Sequence, residues 1–274
     1  MSYFKVLNLE KEPFSISPDP EFFYHSLSHD SAIKRLEISI RLRRGLCLIL
    51  GDVGIGKTTL SRTLLKAFKD ENDFVFHLIL DPSYKSEFQF LLSLVKMFNI
   101  EPEFKSTLDF KEAIERYLFQ KGVEEDKKII LLIDEGQKIS PENLEVLRML
   151  LNYETNQYKL IQLVIMAQVE FLPRVKRIRN FMDRIALKYT INPLDEKETK
   201  DMIEFRLKQA GSAQYNGLFS EEAIKIIYQY TQGYPRRISM LCHDALEEIV
   251  MSERPTVDEE TVKKVISYRG GDEE

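Results

Sequence analysis

Cysteine and histidine are scarce in this chain, and the scarcity excludes whole classes of function. Two cysteines, Cys47 and Cys242, and four scattered histidines are all that 274 residues contain. Both cysteines fall inside apolar strand-like or helix-like patterns, the place of a small buried hydrophobe in a reducing compartment. Neither a disulfide framework nor a zinc set can be drawn from so few ligands. Long hydrophobic runs are missing too: the longest, near residues 160–167, is about eight residues, against the roughly twenty that cross a bilayer. The opening Met-Ser-Tyr-Phe-Lys-Val-Leu lacks the charged-then-apolar plan of a signal peptide. The expectation is a cytoplasmic protein, or one peripheral at the inner membrane, with no membrane span. An excess of positive charge is also absent. The net charge of −5 argues against a broadly basic nucleic-acid binder but leaves room for a local basic patch. Hydrophobic residues at 43% and charged residues at 30% describe a globular chain, long enough for a large core with a smaller appended domain.

What is present is organised around Gly51-Asp52-Val53-Gly54-Ile55-Gly56-Lys57-Thr58. The stretch fits G-x-x-x-x-G-K-[ST], the phosphate-binding P-loop. Before it runs the apolar Leu46–Leu50; after it Leu60, Leu64, Ala67 and Phe68 recur on one helical face. Glycines let the backbone turn its N–H groups toward phosphate oxygens, and a helix N-terminus adds the positive end of its dipole. An ordinary glycine turn would join the same elements. Eight fitting positions with both flanks correct point instead to a nucleoside triphosphate site. The backbone from Gly51 through Thr59 is expected around the nucleotide, with Lys57 between the β- and γ-phosphates and the Thr58 hydroxyl on Mg²⁺.

The rest of the chain supplies the frame. Residues 1–28 carry Pro13, Pro18 and Pro20 among Phe14, Phe22, Phe23 and Tyr24, an irregular lead-in packed onto the domain. From Ser28 as N-cap, a helix should bury Ala32, Leu36 and Ile40 and turn Lys34, Arg35, Arg41 and Arg43 outward. Phe74–Leu80 reads as a buried strand. Two amphipathic helices follow, one through Phe88, Leu91, Leu92, Val95 and Phe98, the next through Phe110, Ala113, Ile114, Tyr117 and Leu118; Glu124 to Lys128 is a solvated loop. Ile129–Ile133 then runs into Asp134 and Glu135, the Walker B pattern, about eighty residues after the P-loop. Such a strand is apolar because it is covered on both faces. Its acidic end suits Asp134 to hold Mg²⁺ through water, and Glu135 to polarise the water that attacks the γ-phosphate.

Ser140-Pro141 starts a helix with Leu144, Leu147 and Leu151 inward. The fourth strand, Leu160–Ala167, ends at Gln168, placing a polar side chain between the two phosphate-site strands. Arg174, Lys176, Arg177, Arg179 and Arg184 make a basic, helix-like segment over 173–184, mostly a solvated face. A short strand, Ile185–Ile191, follows. Five strands interleaved with helices predict a parallel sheet in a three-layer α/β domain. Past Pro193 only helices appear. Asp195 and Glu198 form a capping box before Met202, Ile203 and Leu207, and Ser220 caps a helix with Ala223, Ile226, Ile227 and Tyr230. After Gly233-Tyr234-Pro235 another helix runs to about Met251, and Asp258 starts the last. The expected division is 1–192 as the nucleotide-binding domain, 193–269 as a helical lid and 270–274 as an acidic tail.

With P-loop, Walker B and helical lid in place, the chain resembles the AAA+ ATPases, and within them the general secretion pathway protein A (ExeA-type) family. The likeness covers nearly the whole chain. It is carried by Pro13-Phe14-Ser15, Pro18-Asp19-Pro20, Phe22-Phe23-Tyr24 and His29, by Gly51-Asp52-Val53-Gly54, and by Ile133-Asp134-Glu135-Gly136-Gln137, where Gly136 replaces the usual alanine. Leu151 to Thr155, Gln168 and Gly233 to Ile238 also fall where that family has similar segments. The resemblance implies ATP and Mg²⁺, Gln168 as sensor 1, and Arg236 as sensor 2 reaching from the lid to the phosphates. It implies Arg184, with Arg179 as second choice, as an arginine finger completing a neighbour's site, and hence a homo-oligomeric ring or filament. Lead-in aromatics with His29 would form the base pocket. Without the transmembrane segment and peptidoglycan-binding domain of many members, the chain is similar to short cytoplasmic forms of secretion or type IV pilus assembly.

Three functions remain in view. The first is an ATP-hydrolysing switch that assembles or remodels an envelope or pilus complex. The second is a DNA-bound AAA+ regulator, akin to a transposition target-selection ATPase, for which Arg174 to Arg184 is the basic surface. The third is a nucleotide-gated scaffold without turnover, which the presence of Glu135 disfavours.

Overall fold

The computed structural model describes residues 3–101, 106–178, 180–211 and 217–269. In chain order its first elements are α1 (Tyr3–Val6), α2 (Leu27–Arg41), β1 (Leu46–Leu50), α3 (Lys57–Ala67), β2 (Phe74–Ile79), α4 (Glu87–Met97) and α5 (Thr107–Phe119). Then come β3 (Lys128–Ile133), α6 (Pro141–Leu150), β4 (Ile161–Ala167), α7 (Phe171–Val175) and β5 (Ile185–Thr190). Four longer helices close the sequence: α8 (Glu196–Gln209), α9 (Glu221–Thr231), α10 (Pro235–Met251) and α11 (Glu259–Arg269). These elements form two compact units. One holds His29–Val53 and Leu60–Ile191; the other holds the chain up to Ser28, Gly54–Thr59 and the chain from Asn192 onward.

The first unit is an α/β sandwich on a wholly parallel sheet ordered β2-β3-β4-β1-β5. β1 and β4 are buried at every residue, and β3 at all but its first, which explains their near-continuous Leu, Ile and Val. Register is tight at the carboxyl ends: Leu50 pairs with Ala167 and Ile133 with Ile165. On one face Leu48, Leu131 and Leu163 pack with Phe90, Leu94, Phe110, Ile114 and Leu147 from α4, α5 and α6. Cys47, Ile49, Leu132 and Met166, which alternate with them, are buried as well. β2 and β5 are the edges, so β2 is half-buried through Val75 to Leu78 where the sequence suggested a buried strand, and Leu80 lies beyond it, exposed.

Several side chains point elsewhere than their pattern implied. α2 starts at Leu27, one residue before the proposed cap, and the Ser28 hydroxyl instead accepts a hydrogen bond from Asn192 N (3.1 Å). Ala32, Leu36 and Ile40 are fully buried, as expected. Arg43 is buried rather than outward. Its guanidinium donates to Asp126 Oδ1 (2.7 Å) and to the carbonyls of Asp126 (2.9 Å) and Gly122 (3.3 Å), and lies 4.3 Å over the Tyr158 ring. Gly122 belongs to a π-helical turn, Gln120–Glu124, that extends α5 into the segment expected to be loop at Glu124. Ala67 and Phe88 are exposed where they were read as core. In α4 the buried stripe is Phe90, Leu91, Leu94 and Val95, one position round from the pattern that began at Phe88. In α9 it is Ala223, Ile224, Ile227 and Thr231, leaving Tyr230 exposed. A helix with apolar residues on adjacent faces does not say which face wins; the neighbouring element does.

The second unit is helical. Ile203, Ile227, Ile238, Leu241, Ala245 and Val262 form its core, and Phe14 of the lead-in is part of it. The lead-in, assigned above to the nucleotide-binding domain, is stapled to α8. Arg206 donates to Ser15 O (3.1 Å), Glu10 N donates to Ala210 O (2.8 Å), and Glu198 Oε1 accepts from Leu27 N (3.0 Å). The caps expected at Asp195 with Glu198 and at Ser220 are both present. Cys47 and Cys242 are buried, and burial pushes the Cys47 thiol up to about 11, away from reactivity. No helix among the described residues is long and apolar enough to cross a membrane.

Two outcomes follow from this packing. Gly233 has φ +74°, and a Cβ there would strike the Leu194 carbonyl oxygen, whose residue donates its N–H to Gly233 O (2.9 Å). Gly233→Ala is expected to destabilise the helical unit by about 3 kcal/mol or more, read as a lowered denaturant midpoint. His77 on β2 packs 4.6 Å from the Phe98 ring, and burial lowers its pKa to about 4 from 6.5. The fold therefore holds the neutral ring, and the unfolded chain binds the extra proton between pH 6.5 and 4. Stability is complete above pH 6.5 and falls as pH drops through that window. His77→Phe should flatten this part of a pH series of unfolding curves.

Candidate functional site

The carboxyl ends of β1, β3 and β4 bring one group of the predicted site residues together within the α/β unit. β4 lies between β3 and β1, so Gln168 at its tip stands between the two phosphate-site strands, as the sequence predicts. Gly51 N–H donates to Ala167 O (3.2 Å), which ties the first P-loop glycine to β4; Asp52 and Val53 follow it. Asp134 and Glu135 follow β3. Asp134 is 2% exposed; its N–H donates to Ile79 O (2.8 Å) and its Oδ1 accepts from Glu135 N (2.9 Å). Glu135 adopts a left-handed backbone, φ 52°, which sets it off the strand direction. Its Oε2 accepts a hydrogen bond from Gln137 Nε2 (2.7 Å), and Gln137 Oε1 accepts one from Gln168 N (3.1 Å).

Two residues given no role by their residue type prove integral here. Arg174 is not part of a solvated face: it donates to the carbonyls of Gln137 and, at 2.7 Å, Ile139. Gly136 is required by space. A Cβ there would lie 2.5 Å from Ile165 Cγ2 and 3.1 Å from Ala167 Cβ. An alanine here would force the Ile165 side chain or the turn itself to shift. The basic stretch 173–184 is not one helix; α7 stops at Val175 and turns lead to a short 3₁₀ turn, Met182–Arg184. Lys176 and Arg177 are exposed. Arg184 sits immediately before β5, with its Nε buried and without a hydrogen-bond partner. Arg179 lies outside the described residues, as does the acidic tail.

In the second unit Gly54 (φ +80°) and Gly56 (φ +103°) reverse the chain ahead of α3, which starts at Lys57 and continues through Thr58 and Thr59. Ile55 is buried and Lys57 is 7% exposed. Arg236, an exposed residue in the first turn of α10, donates its backbone N–H to Gly54 O (3.1 Å), and a Cβ on Gly54 would come within 2.8 Å of Arg236 Cβ. The reversal with two left-handed glycines running into a helix N-terminus fits a polyphosphate. The Thr58 hydroxyl and the Asp134 carboxylate are hard oxygen donors of the kind Mg²⁺ takes. The base-pocket expectation loses Phe14 to the helical core and Phe22 to a cluster with Leu9 and Ala210; His29 is buried.

Known proteins match this arrangement. An AAA domain matches residues 40–175. General secretion pathway protein A of Aeromonas hydrophila is 32% identical over 246 residues, covering 89% of this chain and 44% of that protein. An uncharacterised HTH-type transcriptional regulator of Methanocaldococcus jannaschii is 30% identical over 168 residues, covering 58% of this chain and 40% of the relative. The chain thus spans less than half the length of these curated relatives. The Aeropyrum pernix ORC2 protein, solved as ADPNP–ADP complexes, superposes with a TM-score of 0.68 over 94% of this chain and 71% of that one, at 18% identity, a likeness of fold alone. With the P-loop after β1, the paired carboxylates after β3 and the sheet in this order, the chain belongs to the AAA+ ATPases and is a relative of general secretion pathway protein A.

Proposed function

We propose that the chain is an oligomeric, Mg²⁺-dependent ATPase that switches the assembly state of a secretion or type IV pilus envelope complex. The observation that carries hydrolysis is the pair Asp134–Glu135 at the end of β3, one strand removed from β1 and its P-loop, with Gln168 on the strand between. The loop N–H groups from Gly51 to Thr59 hold the phosphates, and Lys57 offsets charge on the β- and γ-phosphoryl groups. Mg²⁺, held by Thr58 and Asp134, supplies further neutralisation of phosphate charge when bound. Glu135 accepts a proton from the attacking water as its oxygen bonds to the γ-phosphorus and the bridging P–O bond to ADP breaks. Gln168 orients the γ-phosphoryl side, and Arg236, whose backbone is already on Gly54, reports the charge lost when phosphate leaves. Arg184 serves a neighbouring protomer as the finger. The envelope role rests on the likeness to general secretion pathway protein A.

A second reading is a DNA-bound regulator, favoured by the relative named as an HTH-type transcriptional regulator and by exposed Lys176 and Arg177. Steady-state turnover with and without double-stranded DNA separates the two. The envelope reading expects turnover indifferent to DNA; strong stimulation that falls with salt would favour the regulator. Glu135→Gln should cut kcat by about 10²–10⁴-fold while keeping ATP affinity. Unchanged kcat would remove Glu135 as the base. Arg184→Ala and Lys57→Ala should each be inactive alone, and mixing them should restore turnover, since a finger given in trans completes one site of a mixed oligomer. Activity of Arg184→Ala alone would remove that assignment.

A further inference from the structure

We propose that Gln137 is a positioning residue for hydrolysis, bracing the Glu135 carboxylate against the same peptide group that anchors the phosphate loop. The inference rests on the ATPase reading above. Its basis is one peptide unit, Ala167–Gln168, with two partners. On its carbonyl side it accepts the Gly51 N–H (3.2 Å), and on its amide side it donates to Gln137 Oε1 (3.1 Å). The other end of the Gln137 amide donates to Glu135 Oε2 (2.7 Å). An amide side chain is suited to this place, because it accepts at one end and donates at the other while staying neutral. The backbone under it is pinned as well: Arg174 donates to the Gln137 carbonyl and to that of Ile139 (2.7 Å).

Glu135 needs such a brace. Its backbone is left-handed and its side chain has three rotatable torsions, whose ordering costs on the order of 1.5–2 kcal/mol if it is not done in advance. A general base contributes only when its oxygen is held in reach of the water's proton. Gln137 references that oxygen to Gly51, the first residue of the loop that grips the phosphates. Base and electrophile are then located from one rigid peptide at the end of β4, a strand buried along its whole length.

The test uses Gln137→Leu, which keeps the size and removes both hydrogen bonds, and Gln137→Asn, which keeps the amide but is one methylene too short to span both partners. Both are expected to lower kcat about tenfold, the equivalent of one charge-assisted hydrogen bond. KM for ATP and the melting temperature should stay at wild-type values. In single-turnover measurements on a Glu135→Gln background, Gln137→Leu should add no further loss, because its effect passes through the carboxylate already removed. Equal losses in both backgrounds, KM rising with the fall in kcat, or kcat unchanged or increased would overturn the inference while wild-type turnover leaves the ATPase reading standing. A wild type without turnover would overturn both.

Discussion

A parallel strand covered on both faces has no place for a polar side chain except at its ends, and that constraint locates the chemistry of this molecule. β1, β3 and β4 are sealed by helices. Near the start of β4 the Gln162 amide is satisfied by Gly45 N and Lys159 O, and the carboxyl halves of all three strands turn polar only on leaving the sheet. Strand pairing continues one residue past the ends of β1, β3 and β5: Gly51 N to Ala167 O, Asp134 N to Ile79 O, Ile191 N to Leu50 O. The first residue of each loop is therefore held as firmly as the strand that delivers it. Asp134 gains its position this way, with almost no exposure, and needs no loop of its own to present it.

The glycines show the same economy of space. Gly54 and Gly56 are left-handed, and at Gly54 the Arg236 side chain also leaves no room for a Cβ. Gly136 is different: its constraint is the Ile165 side chain on the neighbouring strand. Gly136 and Ile165 form one packing unit, in which the missing Cβ on one side makes room for the branched side chain on the other.

Much of this was legible in the sequence, for reasons that are local. The P-loop, the carboxylate pair, five strands and the caps at Ser140, Asp195 and Ser220 depend on residues within a few positions of one another, and the structure has them where the pattern says. What was not legible is long-range. Arg43 looks solvated on charge alone; only the fold brings Asp126, Gly122 and Tyr158 around it. Arg174 and Gln137 sit in stretches with a clear local pattern, yet their partners Gln137 and Gln168 lie more than thirty positions away in the chain. Helix faces slipped by one residue in α4 and α9 because apolar residues occupy adjacent positions and the packing partner decides between them. The segment 173–184 leaves the helix after Val175, although Ile178, Phe181 and Met182 still pack on the α/β core.

The lead-in groups with the helical unit and not with the α/β domain, which the sequence leaves open because its aromatics announce burial but not against what. That Phe14 sits in a core built from Ile203, Leu241 and Val262 has a consequence for synthesis. Nearly the whole α/β unit must leave the ribosome between the lead-in and the first helix that covers it. At roughly 5–20 residues per second, this leaves an apolar, proline-rich segment uncovered for about ten seconds or more. The helical unit is thus closed by residues made long before the helices they pack against, and a nascent chain at this stage presents Leu9, Phe14 and Phe22 to whatever binds exposed hydrophobic segments.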